Sequence, residues 1–244
     1  EERHHSAARF AASSAGGYSE SDYGDIDVAR LSFVERELAF MQLTGKHVGS
    51  EHVTVSWQGN AATTARDELD TRDMIYTVDA ATGTQRYKDA PGSGQRYWSF
   101  LDDLALGAGG DVQLSWPRWR VRVGAVAQHT DRTFDGRRFR YRWVGDDASL
   151  RSLAPEQMLS DEYIGDDFRI EERTLHEDSY KAGLTVAGGF ATGEFQATPA
   201  LRLIGGVRYE RAGQSLSNGS PFAIAGLMTE VSRTDHDVLP AANA

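Results

Sequence analysis

Trp116-Pro-Arg-Trp-Arg-Val-Arg-Val-Gly-Ala-Val-Ala-Gln-His129 decides the reading of this chain. Every second residue from Trp119 is apolar: Trp119, Val121, Val123, Ala125 and Ala127. The residues between them are Arg118, Arg120, Arg122, Gly124, Val126 and Gln128, three of them arginines. A period of two marks a β-strand whose two faces meet different surroundings. A long apolar face with a tryptophan at its start and a guanidinium ladder behind it suits a strand with lipid outside and water inside. A soluble sandwich also shows one apolar face, so the neighbouring segments have to decide.

Working outward, Val112, Leu114 and Trp116 alternate with Gln113 and Ser115, and Pro117-Arg118 reads as a tight reversal between two strands. Upstream, Val53, Val55 and Trp57 alternate with Thr54, Ser56 and Gln58. Residues 26–44 fit a strand or, over Phe33 to Leu43, a helix, and Gly45-Lys-His-Val-Gly49 reads as a short turn. Downstream, Tyr180, Ala182, Leu184, Val186 and Phe190 form one face against Lys181, Gly183 and Thr185. Leu201, Leu203, Gly205, Val207 and Tyr209 then face away from Arg202, Ile204, Gly206, Arg208 and Glu210. Asp135-Gly136 carries a hairpin-turn signal. Long polar stretches, about 59–95, 144–178 and 211–234, separate these segments in alternation with short connections near 45–49, 117–118 and 192–199. Short turns at one end and long loops at the other are the habit of outer-membrane barrels. The expected fold is therefore all-β: an antiparallel transmembrane β-barrel segment of six or seven strands, incomplete as a barrel, with short periplasmic turns and long extracellular loops.

Composition agrees. The 244 residues carry a net charge of −10, 25 Gly and no Cys. No run of about 18 apolar residues is present, which removes transmembrane helices but not strands. Without Cys there are no disulfides, thiolate metal sites or cysteine nucleophiles. The acidic balance argues against nucleic acid as a partner. Residues 1–25 read as a frayed edge or loop, and 26–244 as one internal portion of a barrel. The chain starts at Glu1-Glu2-Arg3 without an export signal and stops where a new element begins, so a longer parent is expected.

Several segments together resemble the barrel of TonB-dependent outer-membrane receptors. They are Val53-Thr-Val-Ser-Trp57, Arg132-Thr-Phe-Asp-Gly-Arg-Arg-Phe-Arg-Tyr141, Tyr180-Lys-Ala-Gly-Leu184, Leu201-Arg-Leu-Ile-Gly-Gly-Val-Arg-Tyr-Glu210 and Asp237-Val-Leu-Pro240. The resemblance implies a barrel of about 22 strands around an N-terminal plug, energised by the TonB complex through regions outside this chain. Its partners would be outer-membrane lipid, the parent's plug domain and an unknown ligand held by the extracellular loops around 60–96, 130–178 and 212–235. The alternatives are a passive porin-like barrel and a soluble β-sandwich binding module.

The candidate lumen-facing residues are Arg118, Arg120, Arg122, Arg202 and Arg208, and the candidate aromatic girdle is Trp57, Trp116, Trp119, Tyr180 and Tyr209. An arginine ladder can guide anions, but it equally serves as a charged wall paired with carboxylates. Gly145-Asp-Asp147 and Gly165-Asp-Asp167 are the best oxygen clusters for Ca²⁺, without the EF-hand spacing, and read more simply as a solvated acidic loop. His4-His5 have no metal-binding spacing, and Asn218-Gly-Ser220 matches a glycosylation acceptor of a kind common by chance. Neither a nucleophile elbow nor a phosphate loop is found, so no enzyme activity and no cofactor are expected.

Overall fold

The computed structural model describes residues 2–12, 25–219 and 229–243. They form one antiparallel sheet whose long strands pair in sequence order. These are β1 (Glu2–Ala12), β2 (Asp25–Val48), β3 (Val53–Val78), β5 (Gln95–Ser115), β6 (Trp119–Trp143), β8 (Ser179–Thr198), β9 (Leu201–Asn218) and β10 (Glu230–Asn243). Two short strands lie off this path: β4 (Gln85–Tyr87) on β3, and β7 (Phe168–Glu172) on β6. A single helical turn, α1 (Pro155–Met158), sits in the connection after β6.

The alternation of connections holds, with shifted limits. At one end the sheet reverses at 49–52, 116–118 and 199–200. At the other end the described connections are 79–94 and 144–178. Strands run far into stretches that read as loop: β3 continues to Val78, and β6, 25 residues long, ends at Trp143. Asp135-Gly136 makes no turn. Asp135 pairs with Phe100 and Ser179, and Gly136 with Ser99, inside β6. Gly136 serves close approach instead, because a Cβ there would lie 2.8 Å from the Asp178 carbonyl. The physical reason is general. Ladder hydrogen bonds need no apolar face, so a strand with water on both sides loses its alternation but keeps its pairing.

Residues 25–48 are strand throughout, which removes the helical option for Phe33 to Leu43. Residues 2–12, expected as loop, pair with β2 from Ala12↔Ile26 to Glu2↔Arg36. The remainder of the 1–25 segment, and Ser220 of Asn218-Gly-Ser220, lie outside the described residues.

One bulge matters to everything beyond it. Glu68 pairs with Val34 and Ser99, whereas Thr71 pairs with Tyr97 and Arg72 with Leu31. β3 thus carries an extra residue relative to its neighbour β5. From there on its odd and even residues exchange faces. Asp70 sits in the bulge with φ 61°, the one non-glycine with positive φ among the described residues.

Candidate functional site

The register assigns each strand residue to one of two faces. Arg120 pairs with Ser115 and Glu194, Arg122 with Gln113 and Thr192, and Phe190 with Gly124 and Arg208. This is the arginine face, and Arg120, Arg122, Arg202 and Arg208 all fall on it. Arg118 lies in the adjoining turn, its carbonyl accepting from the Gln196 N–H at 2.9 Å. Most of these charges are paired. Arg122 grips Asp111 with two hydrogen bonds of 2.7 Å, and Arg132 grips Asp103 likewise. Arg120 meets Glu194 at 3.0 Å, with Arg202 3.8 Å from the same carboxylate, and Arg208 meets Glu210 at 2.7 Å. The paired-wall reading of the ladder therefore describes its geometry: fixed forks holding carboxylates on the same or a neighbouring strand.

Opposite lies the apolar face. On β5 it shows Leu104, Leu106, Ala108, Gly110, Val112 and Leu114, and on β6 Trp119, Val121, Val123, Ala125 and Ala127. On β8 it shows Ala187, Gly189, Ala191, Gly193 and Phe195, and on β9 Leu201, Leu203, Gly205, Val207 and Tyr209. Trp57, Trp119 and Tyr209 share this face, Trp119 packing against Phe195 at 4.6 Å. Trp116 lies in the turn and stacks on His52. Tyr180 does not belong with them. It stands across from Phe134 on the arginine face. Leu184, Val186 and Phe190 are on that face too, which reverses the expected outward face of this strand. The Phe190 ring lies over Gly124, where a Cβ would come within 2.6 Å of it, and 5.7 Å from the Arg122 guanidinium. A flat glycine beneath the ring and a cation beside it hold that facing.

The apolar stretch covers 11 residues in β5 and nine each in β6, β8 and β9. Polar residues take over beyond it: Asp102, His129, Thr185 and Arg211. Large side chains within it remain open to the surroundings, with Trp119 54%, Val123 53% and Tyr209 48% exposed. Trp57, Gly110, Ala125, Gly189 and Tyr209 form one row of register partners across the sheet. Counted from the short-turn end, that row lies four residues along β3, five along β5, six along β6, nine along β8 and eight along β9. From β3 to β9 the step averages one residue per strand, which at about 3.4 Å rise and about 4.8 Å spacing is a tilt of about 35°. Nine to eleven residues so inclined span about 25–30 Å.

Towards the long-loop end, the arginine face gathers aromatics. Phe134 and Tyr180 stack at 5.2 Å, and the Arg138 guanidinium lies 4.6 Å over Tyr97. Arg138 also donates to Asp178 at 2.8 Å, and Arg66 to Glu68 at 2.8 Å. Nearer the short turns, Lys46, Gln58, Asp111, Arg122 and Phe190 are among the residues lining a shallow recess of about 390 Å³. The group of Tyr97, Phe134, Tyr180, Arg132 and Arg138 was not assembled from sequence, which placed Tyr180 in the aromatic girdle. Its signal was the aromatic–basic alternation of 132–141, but only register shows which of those residues share a face.

The long connections build a small cap. Met74 and Tyr76 of β3 and Tyr141 of β6 pack with Tyr87, Met158 and Phe168, all buried. Tyr87 donates its hydroxyl to the Tyr141 carbonyl at 2.8 Å, and Arg151 donates to the Tyr87 carbonyl at 2.6 Å. Burial pushes the Tyr87 hydroxyl up to about 12. By register Tyr141 lies on the same side of the sheet as the apolar face, and past the bulge so do Met74 and Tyr76. The cap therefore lies on the apolar side of the sheet, beyond the apolar stretch, and not on the arginine face. Below it, Asp70 accepts hydrogen bonds from Arg96 at 2.6 and 2.7 Å and from Arg72 at 2.8 Å, while Arg96 also donates to the Tyr141 hydroxyl. Burial alone would raise the Asp70 carboxyl, but the two guanidinium groups outweigh it and hold the group below its ordinary value. Asp147 turns inward on its own loop, accepting from the Ser149 N–H and hydroxyl. Among the described residues no cluster of three or more metal-binding side chains forms.

No protein-family model matches the chain, and neither does any curated sequence. Solved structures similar in shape include the siderophore receptor PiuA from Acinetobacter baumannii, with a TM-score of 0.48 and 10% identity. Another is the copper transporter OprC, with a TM-score of 0.36 and 11% identity. They cover 89% and 90% of this chain, which spans only 36% and 38% of theirs.

Proposed function

We propose that this chain is part of the wall of an outer-membrane β-barrel that takes up a scarce ligand as a TonB-dependent receptor. The observation that carries the membrane placement is the tilted apolar band. Its nine to eleven residues per strand match the length a spanning strand needs, and its tilt of about 35° lies within the range of closed barrels. A sandwich would bury such a face under a second sheet, and the described residues form a single one. In this placement the apolar face meets lipid, and the arginine face lines the lumen. The aromatic and arginine group at the mouth then receives the ligand, since the cap stands outside the wall. Coupling to TonB rests on the sequence resemblance. It predicts that uptake stops when the proton gradient is collapsed, and undiminished uptake would favour the passive porin.

Topology is tested by cysteine labelling in intact cells, because this chain has no Cys of its own. Ser152→Cys in the 144–178 connection reacts with an impermeant maleimide from outside. Ser50→Cys in a short turn reacts only after the outer membrane is breached. Equal labelling of both would overturn the placement.

A further inference from the structure

Beyond the level of Tyr209, β8, β9 and β10 carry aliphatic side chains on the arginine face. Arg132 pairs with Ala182, Ala182 with Leu216 and Leu216 with Val231, which makes one row. Two residues nearer the short turns, Thr130 pairs with Leu184, Leu184 with Gln214 and Gln214 with Arg233. The two rows line a recess of about 600 Å³. Leu216 and Val231 stand 45% and 55% exposed in it. The stacked pair of Phe134 and Tyr180 occupies the next row outward. Leu216 lies seven residues beyond Tyr209, about 23 Å further along β9 at about 3.3 Å per residue. The recess is therefore beside the aromatic group and past the level of the apolar band. Its charges are already matched. Arg132 grips Asp103 with two hydrogen bonds of 2.7 Å, and Arg233 holds Asp235 at 2.8 Å. Gln214 is exposed, and its side-chain amide makes no hydrogen bond among the described residues.

We propose that this recess receives the linear acyl chain of a neutral amphiphile whose chain is joined to its head through an amide. The proposal rests on the barrel placement given above and names the ligand class of its mouth. Water in the lumen disfavours exposed aliphatic side chains on its wall. A concave apolar patch with a few polar groups at its edge is the form of a small-molecule site. Ala182, Leu184, Leu216 and Val231 carry no ring to stack on, so a flexible chain fills the space between them better than a flat group. Arg132 and Arg233, each held by a carboxylate, give no preference for an anionic head. The Gln214 side chain presents both a donor and an acceptor, which a secondary amide complements and a carboxylate does not.

The test holds the full-length protein in phosphatidylcholine nanodiscs and measures binding of N-octanoylglycinamide by equilibrium dialysis, with empty discs subtracted. The expected result is saturable binding, with N-acetylglycinamide and octanoate each about tenfold weaker or more. Leu216→Asn and Val231→Asn should each lower the affinity for the octanoyl amide about tenfold. Gln214→Leu should remove most of the preference for the amide over octanoate. Ile170→Asn, at an exposed apolar residue of β7, should change neither. Equal affinity for the acetyl and octanoyl amides overturns the proposal, as does unchanged affinity in both asparagine variants. Tighter binding of octanoate than of the amide overturns the neutral head. Equal labelling of Ser50→Cys and Ser152→Cys on intact cells overturns the barrel placement itself. Labelling from outside at Ser152→Cys alone, without saturable binding, overturns only the acyl recess.

Discussion

At Gly94 the backbone adopts φ +68°, and a Cβ there would collide with the Tyr87 hydroxyl and lie 2.7 Å from the Tyr141 carbonyl. Gly94→Ala should weaken the cap by about 2 kcal/mol or more, combining left-handed strain with the clash. The measurement is hydrogen exchange: protection of Ser93 and Tyr87 should fall while that of β9 is unchanged. Asp70 permits a pH prediction. Its carboxyl is held below the ordinary value in the folded chain, so its contribution is complete above the unfolded carboxylate range and is lost as pH falls through the lower folded value. The cap should therefore resist proteolysis from neutral pH to about 5 and loosen only below about 4. Asp70→Asn, which tolerates the positive φ but not the charge pairing, should be cleaved faster at neutral pH and show a smaller acid step. Neither residue stood out in the sequence, because a glycine or aspartate in a polar stretch is ordinary until its partners arrive from other strands.

At the scale of elements, the bulge at Leu69–Asp70 decides what the outer part of β3 does. It turns Met74 and Tyr76 to the side where Tyr87, Met158 and Phe168 can cover them. Inserting one alanine between Arg72 and Asp73 should shift the strand by one residue and send both to the arginine face. The expected outcome is loss of protection across 79–94 and 144–178, with the far-ultraviolet strand signal nearly intact. If both connections stay protected, the facing of Met74 and Tyr76 is not what holds the cap. Strand cores from Val53, Val112, Trp119 and Leu201 were legible because one face is apolar there. Their outer halves were not, since beyond Asp102 and His129 aromatic and charged residues mix on both faces and only pairing with neighbours makes them strand. The facing of β8 was misread for a related reason: Leu184, Val186 and Phe190 are the larger side chains, but the ladder to β6 places the glycine and alanine series outward.

For the whole molecule, the placement in lipid makes a graded prediction. Val123 stands near the middle of the apolar band and is 53% exposed in the isolated sheet. Val123→Arg should cost about 2–4 kcal/mol in barrel folding into vesicles, whereas the same charge at Thr185, beyond the band, should cost about 0–1 kcal/mol. Folding midpoints in urea would measure both. Equal, small effects at the two sites would mean that no lipid faces this wall. The exposed edges of an open sheet also need partners in a membrane, because lipid satisfies no backbone group.

The sequence by itself determined the strand class, the alternation of short and long connections, and the separation of apolar from arginine-bearing faces at Trp119–Ala127 and Leu201–Tyr209. Each follows from period-two chemistry inside single segments. The tertiary structure alone decided which carboxylate each arginine holds, that Tyr180 joins Phe134 on the arginine face, and that the long connections fold onto the apolar side of the sheet. Those outcomes depend on register between strands and on one extra residue in β3. A single segment does not encode them, because the ladder hydrogen bonds that fix register are the same for every side chain.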